Sequence, residues 1–205
     1  MSVHRQTTSR GAQRLDRRTE LARATLRVTA AIGYEAATVA EIAEEAGVSR
    51  RAFNRHFHDK DAAFEVGYRE ITRDLRRTVQ AAYDAADTPI RRTWSCLEAL
   101  ADFLASDPRR AELLVIHGHA AGQGTAQVHC ETMSRLVDLI LANTAELPQP
   151  TGDARLVAET VAGGIYEIVF ARVLRGQVRS LPGLVPDWAR VVMAPYVAIA
   201  TADEA

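Results

Sequence analysis

TVAEIAEEAGVSRRAFNRHFHDKD, residues 38–61, reads as two short helices joined by a glycine turn and followed by the start of a third. Thr38 can cap the first helix by accepting from backbone N–H groups, and Glu41, three residues on, can reach back to close a capping box. Val39, Ile42, Ala43 and Ala46 recur at helical spacing as a stripe to be buried. Gly47 stops this helix, because glycine takes the left-handed conformation without a Cβ clash. Ser49 can then cap the next.

Phe53 and Phe57 lie four apart and turn inward, which leaves Arg50, Arg51, Asn54 and Arg55 outside with His56 near the rim. These outward side chains all carry donors. A short helix with arginines at its N-terminal end suits phosphate oxygens and the O6/N7 edge of guanine, so the segment points to insertion of one helix into the major groove of DNA.

The run from Arg17 to Phe64 resembles the DNA-binding domain of the tetracycline-repressor (TetR) family of bacterial regulators. The residues that carry the likeness are Gly33-Tyr34, Thr38-Val39, Ile42-Ala43, Ala46-Gly47-Val48-Ser49, His56-Phe57, Lys60 and Phe64. The resemblance implies an all-α homodimer with an N-terminal three-helix helix-turn-helix domain and a C-terminal helical domain that dimerises and binds a small molecule. It further implies a repressor, not an enzyme, that leaves a palindromic double-stranded DNA operator when its effector binds. Carried over residue by residue, Thr38, Ser49, His56 and Lys60 match positions that touch phosphates, while Arg50, Arg51, Ala52 and Arg55 match positions that face bases or nearby phosphates. The chain departs from the pattern at Asn54, where the family most often has tyrosine, and an amide there can pair with adenine N6/N7. It departs again at Thr29 and Phe53, where phenylalanine and leucine are usual; the larger Phe53 is expected to fill volume lost at Thr29.

With 205 residues, 47% of them hydrophobic, the chain can bury a sizeable core. A formal charge of −1 argues against coating nucleic acid by bulk charge, yet the start is basic. His4, Arg5, Arg10, Arg14, Arg17 and Arg18 face only Asp16 there, which predicts a flexible basic arm over residues 1–13. The arm either follows the DNA or serves solubility. Cys96 and Cys130 stand apart without a CxxC spacing, so neither disulfides nor zinc are indicated, and a reducing cytoplasm is expected. No apolar run approaches the ~18 residues of a membrane span. Lys60 is the sole lysine in an arginine-rich chain.

Outward from the motif, helical spacing with caps recurs to the end, and no segment alternates like a strand. The expected division is a helix-turn-helix domain over 14–68 and a ligand-binding and dimerisation domain over 69–205. A first helix is predicted over 14–32. Asp59 can cap a long helix carrying Phe64, Tyr68, Ile71, Leu75 and Val79 toward residue 86 and so into the second domain. Thr88-Pro89 and Asp107-Pro108 open two further helices, the latter running toward His117. Gly118, Gly122 and Gly124 mark a break before a helix that reaches Leu147, with Pro148 and Pro150 beyond it. The last helices are predicted over 151–175 and 186–202, separated by a loop at Ser180-Leu181-Pro182-Gly183, with Pro195 inside the final one.

Ala158, Val161, Ala162, Ile165 and Val169 line one of these helices, and Val191, Val192, Ala194, Val197 and Ala198 the other. The resemblance implies that they form the homodimer interface; ordinary core is the alternative reading. A small-molecule site needs an apolar cavity with a few polar groups. Trp94, His117, Tyr166 and Phe170 are candidates, since each brings an aromatic surface and three bring a polar handle. His117 and His119 do not share a helix face, and no HExxH, GxSxG or GxGxxG pattern occurs, so neither a metal, a cofactor nor a catalytic centre is indicated. The rivals are the same fold controlled by a protein partner, and a helical-bundle enzyme or metal protein.

Overall fold

A computed structural model describes the backbone of residues 3–150 and 152–197 and the side chains of 15–150 and 152–196. The described residues form α-helices, a π-helical turn and a 3₁₀ helix, and no strand among them, as the helical spacing predicts. The chain groups into two units.

The first unit holds the chain through Ile71 together with His117–Val128. Its helices are α1 (Val3–Ile32), α2 (Val39–Glu45), α3 (Arg50–Phe53), the first half of α4 (Lys60–Asp84) and the short α7 (Gly118–Ala120). Leu21, Ala24, Val28, Ile42, Phe53 and Phe57 close its core. Full burial of one such side chain is worth about 1.5–3 kcal/mol, so the core outweighs the modest propensity of its short helices. Two sequence expectations need correction here. The arm expected to be flexible over 1–13 is, from Val3 on, a backward extension of α1, which no proline interrupts. Its side chains, with residues 1 and 2, lie outside the described residues. Residues 117–128, expected in the second domain, pack in the first instead: a Cβ added at Gly118 would meet the Tyr68 ring at 2.6 Å, so only glycine fits there.

The second unit holds Thr72–Ile116 and the chain from His129 on. It comprises the rest of α4, then α5 (Pro89–Ala105), α6 (Pro108–Glu112), most of α8 (Gly122–Thr144), α9 (Ala154–Leu174) and α10 (Val185–Val197). Thr88 and Asp107 cap α5 and α6 ahead of their first-turn prolines, as their sequences predict. The helix expected to continue to His117 changes at Leu113 into a π-helical turn. α8 ends at Thr144, short of the expected Leu147, because the Gln149 amide donates to the Thr144 and Leu147 carbonyls at 2.9 and 2.8 Å. The expected loop around Pro182 is wound as a 3₁₀ helix, Val178–Leu184, with Leu181 buried beneath it.

One further correction concerns the last helices. Ala158, Val161, Ala162, Ile165 and Val169, read as an interface stripe, are buried within the unit itself, as is Val192. The faces left outward are Leu156, Thr160, Gly163, Gly164 and Ile168 on α9, and Val191 and Ala194 on α10. Ala198 and the side chain of Val197 lie outside the described residues. Pro195 falls inside α10, as predicted.

Candidate nucleic-acid interface and cavity

The turn between α2 and α3 is fixed at each end by its own side chains. Thr38 N–H donates to the Glu41 carboxylate at 2.8 Å, and Glu41 N–H donates to the Thr38 hydroxyl at 3.3 Å. Gly47 sits at φ +63°, where an L side chain would be strained. The Ser49 hydroxyl accepts from Ala52 N–H at 3.2 Å and starts α3. Backbone bonds from His56 and Phe57 to the Phe53 carbonyl, at 2.8 and 3.1 Å, carry the helical turn past its formal end.

Phe53 and Phe57 are buried with ring centroids 5.7 Å apart, which anchors α3 from beneath. Arg18 covers the edge of this pair: its guanidinium lies 4.6 Å from the Phe57 ring centre and donates to the His56 carbonyl at 3.5 Å. Ser49, Arg50, Arg51, Asn54 and Arg55 are exposed, as is Thr38 at the start of α2, while Ala52 and His56 are half-buried. Arg50, Arg51 and Arg55 have no carboxylate partner among the described residues. Three permanent cations and an amide therefore stand on a short, rigidly seated helix, an arrangement that can neutralise phosphates and read base edges.

Lys60 departs from its expected role as a free phosphate contact. Its ammonium donates to the carbonyls of Tyr34 and Ala37 at 2.7 and 3.1 Å, reaches the Glu35 carbonyl at 3.5 Å, and lies 4.4 Å from the Tyr34 ring centre. An ammonium has three N–H bonds, and all three face the turn between α1 and α2. The Tyr34 hydroxyl donates to the Asp61 carboxylate, and burial together with that carboxylate raises its pKa well above the ordinary tyrosine value. Asp59 caps α4 as expected, accepting from Ala62 N–H at 2.8 Å. Lys60, Tyr34 and Asp61 thus brace the strut on which α2 and α3 are presented.

Within the second unit a cavity of about 90 Å³ opens to the surface between α4, α5, α8, α9 and α10. Its walls are Val79, Leu97, Leu100, Leu136, Leu139, Ile140, Ala162, Ile165 and Val192, and its polar groups are Tyr83, Thr93, Cys96 and Asn143, all uncharged in type. Burial pushes the Cys96 thiol up to about 11. Beside the cavity lies a surface hollow lined by Arg73, Arg76, Arg77 and Arg135, which shares Val79, Leu136 and Leu139 with it.

None of the four sequence candidates for a ligand site lines this cavity. Trp94 borders a shallow surface hollow with Asp87 and Arg91. Tyr166 donates to the Val115 carbonyl at 3.3 Å and lies 5.1 Å from the His129 ring, its pKa pushed up to about 12 by burial and Glu167. His117 ends the π-helical turn, and Phe170 is half-buried on α9. Thr93 and Asn143, which do line it, are not among the sequence candidates, although the sequence carries a signal for them. Leu136, Leu139, Ile140 and Asn143, and likewise Thr93, Leu97, Leu100 and Leu104, each hold one polar residue in an apolar stripe at helical spacing.

Residues 21–66 match the model of bacterial regulatory proteins of the tetR family, and they cover the later part of α1, α2, α3 and the start of α4. This stretch carries the tetR-family signature. Among its relatives, the HTH-type transcriptional regulator BetI of Cronobacter sakazakii is 43% identical over 65 residues, 32% of either chain. That match spans about a third of the relative's length. BetI of Vibrio atlanticus is 26% identical over 185 residues, 88% of this chain and 90% of that protein. Among solved structures, the fatty acid degradation regulator FadR of Bacillus halodurans superposes with a TM-score of 0.75 at 19% identity, covering 85% of this chain and 93% of its own. FadR of Bacillus subtilis, solved in complex with stearoyl-CoA, gives 0.72 at 18% identity over 86% and 97%. At these identities the likeness is one of fold, and it runs through both units. Among the described residues no helix is long and apolar enough to cross a membrane.

Proposed function

We propose that this protein is a sequence-specific transcriptional repressor of the cytoplasm that binds a palindromic DNA operator as a homodimer and leaves it when a small molecule occupies the second unit. The observation that carries the reading is the row of Arg50, Arg51, Asn54 and Arg55 on a helix seated by Phe53 and Phe57. Thr38 and Ser49 add hydroxyls at the two helix starts, where phosphates bind well. A single short helix reads only a few base pairs, so two-fold pairing is needed for a useful site. The outward Gly163-Gly164 pair on α9, with the exposed Ile168 on the same helix and Val191 on α10, offers an apolar surface on which α9 and α10 of two copies can pack closely.

The effector acts as a two-state bias: it prefers a conformation whose recognition helices are wrongly spaced for successive major grooves, with a coupling of about 1–3 kcal/mol. Helix α4 is the natural lever, since its residues belong to both units. The stearoyl-CoA bound to the Bacillus subtilis protein supports a small-molecule effector for this fold without naming this one. A second reading, control by a protein partner, draws on the modest size of the cavity, about 90 Å³. A thermal-shift screen separates the two, because a ligand at a hundred times its dissociation constant adds about 2.7 kcal/mol of stability.

The test of the DNA reading is selection from a random duplex pool by the purified protein and by an Arg50→Ala, Arg55→Ala double variant. Enrichment of a palindrome by the parent and not by the variant is the expected result. No enrichment at moderate salt, with or without cell extract as a source of effector, would sink it.

A further inference from the structure

The cavity in the second unit has one polar corner, and the hydrogen bonds there leave one atom over. Asn143 Nδ2 donates to the Pro89 carbonyl and to the Thr93 hydroxyl, both at 2.9 Å. The Thr93 hydroxyl lies 3.0 Å from the Pro89 carbonyl and 3.4 Å from the Met193 sulfur, so its own proton has two acceptors. The amide orientation is settled by chemistry: a carbonyl cannot donate, so the Asn143 atom facing Pro89 O must be nitrogen. Its Oδ1 is then buried, with no hydrogen-bond partner, in a residue only 8% exposed that lines the cavity wall.

A buried acceptor left without a donor costs about 1–3 kcal/mol, and buried polar groups in native proteins are nearly always satisfied. Every other wall group is apolar or uncharged in type, with the Cys96 thiol turned to the Val79 carbonyl at 3.7 Å. A charged group placed here would lose its hydration with no counter-ion to offset it. We propose that the cavity takes a compact, uncharged, largely apolar molecule bearing one hydroxyl or N–H group that donates to Asn143 Oδ1. The proposal rests on the small-molecule reading above and narrows it to a chemical class. It also decides between the cavity and the adjoining arginine hollow. An apolar molecule with an anionic head would use Arg73 and Arg135 and leave Asn143 unanswered. The volume of about 90 Å³ is below the roughly 150 Å³ known to hold a benzene ring in a closed cavity, and here the open mouth gives a ring room for one edge.

The probes are phenol, its near-isostere toluene, and phenyl phosphate, titrated against the full-length, ¹⁵N-labelled protein and its Asn143→Leu variant. Phenol is expected to bind the parent at least about tenfold tighter than toluene, because a site with a buried polar group rejects the analogue that cannot pair with it. Its binding should move the Asn143 side-chain amide resonances, which toluene leaves in place. In Asn143→Leu the order should reverse. Toluene preferred by the parent, or phenyl phosphate preferred, would overturn the donor assignment while leaving a ligand-responsive regulator intact. Binding of none of the three up to their solubility would overturn the proposal too, and the DNA selection above still decides the operator reading independently. The phenol-to-toluene ratio in the parent is decisive even if the variant fails to fold.

Discussion

In the first unit the polar chemistry faces out, and in the second it faces in. Arg50, Arg51, Asn54 and Arg55 stand in solvent above a dry core of Leu21, Ile42, Phe53 and Phe57. Thr93 and Asn143 are buried between helices whose outward faces carry Leu156, Ile168 and Val191. The contrast separates two kinds of specificity. Outside, a donor can be removed without disturbing what seats it, so recognition and stability come apart. Inside, one amide both ties α8 to the start of α5 and belongs to the cavity wall, so a change to it touches both.

The largest effect that sharpens this contrast should come from beneath α3. Phe53→Ala empties a fully buried site and is expected to destabilise the first unit by about 3–5 kcal/mol in urea unfolding. Arg50→Ala should leave the unfolding midpoint unchanged while weakening DNA binding. A comparable loss of stability in both variants would mean that α3 is not seated as a rigid platform. The milder Phe53→Leu variant tests whether the ring compensates for the small Thr29: a variant that unfolds no more easily than the parent would break that pairing.

Next in size is Lys60, which resembles a phosphate contact in sequence and a brace in structure. Lys60→Met removes charge-assisted bonds to the Tyr34 and Ala37 carbonyls and should cost about 1.5–3 kcal/mol. Its slope of log affinity against log salt should match that of the parent, whereas Arg50→Ala should flatten the slope by about one unit. Equal flattening in both would restore Lys60 to the phosphates.

How far the sequence could be read follows the same division. Thr38, Gly47, Ser49, Asp59, Thr88 and Asp107 act within four residues of themselves, so their roles were legible from spacing alone. The bracing bonds of Lys60 are not legible there, because its partners lie more than twenty residues back in the chain. The cavity was missed for a stronger version of that reason: five helices build it, and helical spacing reports which residues turn inward without saying which inward faces meet. Aromatic residues with polar handles were the natural candidates, yet Asn143 and Thr93, smaller and less conspicuous, form the polar corner. The stripe on α9 shows the same ambiguity, since burial in a subunit core and burial between subunits leave one pattern in the sequence.

A smaller effect tests the caps themselves. Thr38→Ala removes the hydroxyl that accepts from Glu41 N–H and should cost about 1 kcal/mol. Ser49→Ala should cost a similar amount, and because Ser49 also precedes the exposed arginines it should weaken DNA binding beyond what stability explains. Equal loss of affinity per unit of stability at both positions would show that Ser49 acts only as a cap.

A last test probes the second unit through the Cys96 thiol on the cavity wall. Burial raises its pKa from 9.0 to about 11, so the folded protein holds this proton more tightly than the unfolded chain does. The stability that follows is present below about pH 9 and is lost as the pH rises toward 11, because there the unfolded chain ionises first. Urea midpoints of the parent and of Cys96→Ala, measured from pH 8 to pH 11, should therefore converge or cross as the parent loses this contribution. Tyr34, whose pKa is also raised by burial, is common to both proteins and cancels in the difference. A difference that stays constant across that range would mean that the thiol ionises in the folded protein as easily as in the unfolded one. The cavity wall would then be wetter than its lining of leucines implies, and a solvated Asn143 oxygen would no longer select a donor.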